Sequence, residues 1–100
     1  MSEITTHQLK RIRRARSADM SRIVNQERYW TPEALRAVLK RIEQLNQDDP
    51  GEALEAGSSA LQLSQRIRRI SPDLKALTIA VYGSSLRHNG RLQQALDRYD

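Results

Sequence analysis

The chain lacks cysteine and phenylalanine, and only four of its 100 residues are aromatic. Without cysteine there is no disulfide framework, no thiolate metal site and no cysteine nucleophile. Four glycines and three prolines leave little material for tight turns, which disfavours an all-β fold. No apolar run approaches the about 18 residues of a transmembrane helix, and no apolar segment follows the basic N-terminal stretch as a secretory signal requires. We therefore expect a cytoplasmic protein with one modest core and no membrane span.

Positive charge is concentrated in the first third of the chain. Residues 1–30 hold seven basic and three acidic side chains, whereas residues 31–100 hold ten and nine. This asymmetry predicts a basic N-terminal helical arm over 1–30, with one helix over about 7–26, and a separate helical domain over 31–100. The candidate basic patch consists of Lys10, Arg11, Arg13, Arg14 and Arg16.

Three helix starts stand out because Thr31, Asp49 and Ser71 each precede a proline. A side-chain oxygen at this position caps the first free N–H groups of a helix, and proline suits the first helical position because its missing N–H has no partner there. Glu52 follows Asp49 by three residues, which is the spacing of a capping box. The sequence thus predicts helices that begin after residues 31, 49 and 71.

Apolar residues recur at intervals of three and four after each of these starts, as on one face of a helix. After Ser71 they occupy two sides, which is typical of a helix sandwiched between neighbours. Asn89-Gly90 predicts a helix end, since both residues tolerate the left-handed conformation, and a further helix restarts at Arg91. No segment alternates as a strand would. We therefore predict an all-α fold of four or five antiparallel helices with short connections.

Residues 76–99 read ALTIAVYGSSLRHNGRLQQALDRY. The succession of Gly83, Gly90, Ala95 and Tyr99 resembles the tetratricopeptide repeat. The resemblance implies two antiparallel helices that approach closely where Gly83 faces Ala95. It also implies that Gly90 ends the first helix and that Tyr99 fills the groove beside the pair.

The resemblance is best over residues 76–100 and partial over residues 50–70. It implies antiparallel helix pairs stacked as a short tetratricopeptide-like array, and a generic helical bundle with small residues at close crossings is the alternative. Because the chain stops at Asp100 inside the last predicted helix, we expect either an array cut at its C-terminus or self-association through the exposed last helix.

Stacked helix pairs of this family form a concave surface that holds a peptide or a partner helix. The resemblance therefore implies a non-catalytic protein–protein interaction scaffold whose partner is another protein, a peptide or a second copy of the chain. The positions that would face the groove are Thr78, Tyr82, Ser85 and Asn89. For Tyr82 a place in the core is the alternative.

The basic segment LKRIRRAR supports a second interpretation, which is nucleic-acid binding. Its four arginines and one lysine suffice to neutralise several phosphates. It contains no aromatic residue on which bases would stack, and Tyr29 and Trp30 lie well downstream. We therefore favour protein binding. Salt dependence separates the two interpretations, because phosphate contacts weaken steeply as the salt concentration rises.

No catalytic constellation is legible in the sequence. His7 lies in the N-terminal segment, and His88 lies near the predicted helix end, where it can satisfy free carbonyl groups. Asp48 and Asp49 are adjacent carboxylates, but Asp49 is used as a cap and the turn offers too few oxygen ligands for a cation. We predict no enzymatic activity, no cofactor and no metal site.

Overall fold

The computed structural model describes the backbone of residues 5–97 and the side chains of residues 5–91 and 93. Within this part the chain is helical and contains no strand. The α-helices are α1 (Thr6–Arg13), α2 (Ser17–Ile23), α3 (Pro32–Asp48), α4 (Pro50–Arg66) and α5 (Pro72–Asp97), and a 3₁₀ helix spans Glu27–Tyr29. The predicted all-α fold of four or five helices is confirmed.

The three predicted helix starts are confirmed by their capping hydrogen bonds. The side-chain oxygens of the caps accept from backbone N–H groups at 3.2–3.3 Å, in the pairs Thr31–Ala34, Asp49–Glu52 and Ser71–Leu74. The capping box at Asp49 is only half formed. The Asp49 N–H donates instead to the Leu45 carbonyl at 2.7 Å, because α3 ends directly in the cap of α4. The Glu52 carboxylate therefore remains available for another donor.

The N-terminal segment forms two short helices instead of the single helix predicted over 7–26. Arg16, between them, has an extended backbone with φ −98° and ψ 174°, so it cannot continue α1. Its N–H donates to the Asp19 carboxylate at 2.9 Å, at the start of α2. The break arises because the Asp19 side chain offers this N–H a partner outside the helical ladder.

These N-terminal helices share the hydrophobic core of the rest of the chain. Ile12, Met20 and Ile23 are at most 2% exposed. Helix α1 packs against α3 and helix α2 packs against α4, and one cluster of buried apolar side chains draws residues from all five helices. The expected division into a basic arm over 1–30 and a domain over 31–100 is therefore corrected, because the apolar side of the N-terminal segment is core.

Helices α3, α4 and α5 pack against one another in pairs. The second half of α5 is tied to the turn between α3 and α4. There the Ser85 hydroxyl donates to the Asn46 side chain at 2.9 Å, and the Asn89 amide donates to the Pro50 carbonyl at 2.8 Å. Since the end of α5 thus lies beside the start of α4, the two helices run antiparallel.

Helix α5 continues through Asn89 and Gly90, where a helix end was predicted. No residue of the described backbone has a positive φ, so the left-handed turn is not formed. A glycine inside a helix costs only about 1 kcal/mol, and the Asn89 amide is used on carbonyl oxygens instead of in a turn. Gly83 and Ala95 therefore lie on one helix and cannot face each other across a pair. The predicted role of Tyr99 lies outside the described residues.

Candidate interaction surfaces

Two of the four predicted groove residues are buried inside the chain. Thr78 is 1% exposed, and its hydroxyl donates to the Leu74 carbonyl at 2.8 Å. Ser85 is fully buried, with its hydroxyl 2.9 Å from the side-chain oxygen of Asn46. The prediction that Thr78 and Ser85 face a partner is wrong, because this side of α5 packs toward α3 and α4.

The other two predicted groove residues, Tyr82 and Asn89, hold α5 against α4. A Cβ atom placed on Gly57 would lie 2.8 Å from Cδ1 of Tyr82, so the ring rests on the α4 backbone. The Asn89 amide donates to the carbonyls of Pro50 and Ser85 at 2.8 and 2.9 Å. Both side chains are half-buried. The four predicted residues thus bind the chain's own helices and do not line an open groove.

The close helix approach occurs at Gly57 on α4, and not at Gly83. A Cβ atom placed on Gly83 would meet no heavy atom within 4 Å. In the sequence Gly57 stands on the apolar side of its helix, which is a signal for a close neighbour. The spacing of small residues did not reveal which glycine has that neighbour, because this depends on how α4 and α5 are rotated about their axes.

The outer side of α5 carries large apolar residues that stay largely exposed in the part of the chain that the structure describes. Leu77, Ile79 and Leu86 are 41%, 58% and 47% exposed. A Cβ atom on Gly83 or Gly90 would also stand in open space. We call the row formed by Ala76, Ile79, Gly83, Leu86 and Gly90 the α5 stripe. A row of exposed apolar side chains of this kind marks an interaction surface.

The predicted basic patch divides into two parts with different surroundings. Arg16 is ion-paired within the fold, with Asp49 at 3.3 Å and Glu52 at 3.4 Å. Its guanidinium therefore joins the α1–α2 connection to the start of α4. This structural role accounts for Arg16, which has its partners inside the chain.

Glu52 is the centre of this connection. One of its oxygens accepts the Ser17 N–H at 2.6 Å, and the neighbouring Glu55 accepts the Ser17 hydroxyl at 2.8 Å. The Ser17 N–H in the first place, together with the Arg16 guanidinium, holds the pKa of the Glu52 carboxyl below its ordinary value. The α2 N-terminus is thus tied to α4 by an ionised carboxylate.

The remaining four basic residues of the patch are exposed on or just after α1. They are Lys10, Arg11, Arg13 and Arg14. They line an open concavity together with His7, and none has an ion-pair partner among the described residues. We call these four residues the α1 cations. They form a concentrated, uncompensated positive surface on a packed helix.

Aromatic side chains near this end of the chain are already engaged. Tyr29 is buried, and the Trp30 indole N–H donates to the Val24 carbonyl at 2.9 Å. The Arg66 guanidinium lies 5.3 Å from the centre of the Trp30 ring. Neither ring presents a free face beside the α1 cations on which a base would stack.

The described side chains, those of residues 5–91 and 93, include no group of three histidine or acidic residues arranged to hold a metal ion. No helix within residues 5–97 has both the length and the apolar character needed to cross a bilayer. Comparison of the chain with protein-family models, with curated proteins and with solved structures found no match.

Proposed function

We propose that this chain is a non-catalytic protein-interaction module that binds a partner helix along the α5 stripe. The exposure of Ile79, at 58%, beside the open backbone of Gly83 carries this proposal. A helix can approach closely where glycine leaves the backbone bare, and the neighbouring Ile79 and Leu86 then gain an apolar environment. Complete burial of an exposed side chain of this kind contributes about 1.5–3 kcal/mol, and these two, which are about half exposed, would gain about half of that.

The proposed surface lies on a different side of α5 from the groove that the sequence predicts. The resemblance to the tetratricopeptide repeat stays a prediction that no comparison tests. The chain lacks the helix break that the repeat requires at Gly90, since α5 continues to Asp97. The α3–α4 and α4–α5 hairpins support a scaffold of antiparallel helix pairs as the frame that presents the α5 stripe.

A photo-crosslinking amino acid at position 79 tests the proposal inside cells that express the chain. We expect a discrete crosslinked product that contains a second polypeptide, identified by mass spectrometry. The matched control places the same group at Gln65, which is exposed on α4 away from the stripe. Absence of a discrete product at position 79, or equal products at both positions, would show that the stripe binds no protein.

Nucleic-acid binding at the α1 cations is the second candidate function. It is supported by four exposed basic side chains that have no ion-pair partner in the described part of the chain. Because no free aromatic face accompanies them, the contacts would be to phosphates and would not discriminate sequence. If all four bind duplex DNA, the logarithm of the affinity falls with the logarithm of salt concentration with a slope of about −3 to −4.

Titration with a labelled DNA duplex at several salt concentrations checks this candidate. The double variant Arg11→Glu with Arg14→Glu should abolish binding at low salt. The control Arg36→Glu with Lys40→Glu makes the same charge change at exposed positions of α3 and should leave most of the affinity. Equal losses of affinity in both double variants would indicate that binding depends only on the net charge of the chain. Absence of binding at low salt would exclude this function.

A further inference from the structure

The α5 stripe repeats every seven residues. Ala76, Gly83 and Gly90 are seven apart, and Ile79 and Leu86 each follow a small residue by three. This is the spacing of the two core positions of a heptad, which keeps both kinds of residue on one side of a helix. In the described part of the stripe, the first core position always holds a small residue and the second always holds a large one.

We propose that the partner helix is α5 of a second copy, packed antiparallel about a twofold axis at the level of residue 81. This inference rests on the proposed function of the stripe and names its occupant. In this register Ala76 of one copy lies opposite Leu86 of the other, and Ile79 lies opposite Gly83. Each of the four layers joins one small and one large residue, so the stripe is complementary to itself.

The void that each Ile79 would enter lies outside the monomer. A Cβ atom on Gly83 meets nothing within 4 Å, whereas the equivalent atom on Gly57 meets the Tyr82 ring. The space over Gly57 is thus filled by the chain itself, and the space over Gly83 is left for another molecule. Close packing of a large side chain over a bare backbone provides the dispersion contacts that an open surface lacks.

Charge on the edge of the stripe favours the same register. Asp73 and Arg91 are 18 residues apart, which is five helical turns, so they lie on the same line along α5. In the proposed pair Asp73 of one copy is level with residue 89 of the other, about 3 Å along the axis from Arg91. Both side chains are exposed, and neither has an ion pair within the described residues.

A parallel pair would not satisfy the same residues. It would place Gly83 against Gly83 and Ile79 against Ile79, so narrow and wide layers would alternate along the interface. It would also leave Asp73 of one copy about 27 Å along the axis from Arg91 of the other, which is too far for an ion pair. The antiparallel twofold arrangement is therefore the one that the shape and the charge of this surface select.

Sedimentation equilibrium of the purified chain over a wide concentration range tests the pairing. We expect a monomer–dimer equilibrium whose dissociation constant rises about tenfold or more in Gly83→Leu, because the added side chain overfills a layer. The monomer of this variant should keep its helical circular dichroism, since a Cβ atom at position 83 meets no heavy atom within 4 Å and the position faces away from the core. A dimer that Gly83→Leu leaves unchanged would overturn the proposal.

A charge exchange between copies tests the register. Asp73→Arg and Arg91→Asp should each weaken the dimer, because each variant alone brings like charges together. Mixing the two variants should restore the dimer, since each arginine then meets an aspartate of the other copy. Equal weakening in the mixture and in the separate variants would refute this register.

The outcomes for the two proposals can be told apart. If the wild-type chain is monomeric at all concentrations while the crosslinker at Ile79 captures a different protein, the pairing is refuted and the proposed function stands. If no discrete product forms and the chain is monomeric, both are refuted.

Discussion

The substitution Gly57→Ala should destabilise the fold, although alanine is the better helix former. In an open helix interior this change stabilises by about 1 kcal/mol. At position 57, however, the new Cβ atom would stand 2.8 Å from Cδ1 of Tyr82, well inside the ordinary carbon–carbon contact of about 3.5–4.0 Å. Overpacking of this kind costs about 1–3 kcal/mol, so we expect a net loss of about 1 kcal/mol.

The same substitution at Gly83 supplies the matched control. Its Cβ atom meets no neighbour within 4 Å, so Gly83→Ala should raise the free energy of unfolding by about 1 kcal/mol. The two variants should therefore differ in sign. Urea unfolding followed by circular dichroism measures both, at a protein concentration where sedimentation shows only monomer.

A Tyr82→Ala background identifies the cause of the loss at position 57. Without the ring, the steric cost disappears and Gly57→Ala should become stabilising. If Gly57→Ala stabilises the chain as much as Gly83→Ala does while Tyr82 is present, the reasoning is refuted, because the ring then moves away at no cost.

Three further predictions concern the packing of the helices. Ser85→Ala should cost about 1–3 kcal/mol in urea unfolding, because it leaves the buried Asn46 oxygen without its donor; adding Asn46→Leu should recover most of this loss. Since the pKa of Glu52 is lowered in the folded chain, its contribution to stability is complete above its ordinary pKa of 4.5 and is lost as the pH falls through the lowered value. Glu52→Gln should therefore reduce the loss of stability on acidification, as urea midpoints over that pH range would show. Removal of residues 1–26 should abolish the cooperative thermal transition seen by circular dichroism, since it uncovers the core.

Each of these predictions has a result that contradicts it. Unchanged stability in Ser85→Ala would mean that Asn46 finds another donor. An acid profile of Glu52→Gln identical to that of the unmodified chain would show that the ion-paired link between α2 and α4 carries no stability. A cooperative melt of the chain without residues 1–26 would restore the interpretation of that segment as a separate arm.

The sequence predicts helix starts correctly where a residue and its immediate neighbours in the chain determine whether the helix begins. Thr31, Asp49 and Ser71 were identified as caps because a capping hydrogen bond spans three residues and depends on nothing distant. The same local reasoning was wrong at Asn89-Gly90. Asn89 has a tertiary partner in the Pro50 carbonyl, 39 residues away, which no short-range pattern contains.

Which residues form the two candidate interaction surfaces depends more on long-range packing than the helix starts do. Five basic residues were grouped by sequence proximity, but only the fold separates Arg16, with its carboxylate partners on α4, from the exposed α1 cations. The apolar residues on two sides of α5 are visible in the sequence and predict a helix sandwiched between neighbours. The fold covers one side and leaves Ile79 and Leu86 open.

The amino-acid sequence therefore defines an all-α chain, its three capped helix starts and its uneven charge, since composition, periodicity and caps act over a few residues. Tertiary structure alone decides which side of α5 is core, which glycine meets a ring and which cations are free. These outcomes depend on the rotation of each helix about its axis, which is set by the simultaneous packing of residues far apart in the chain.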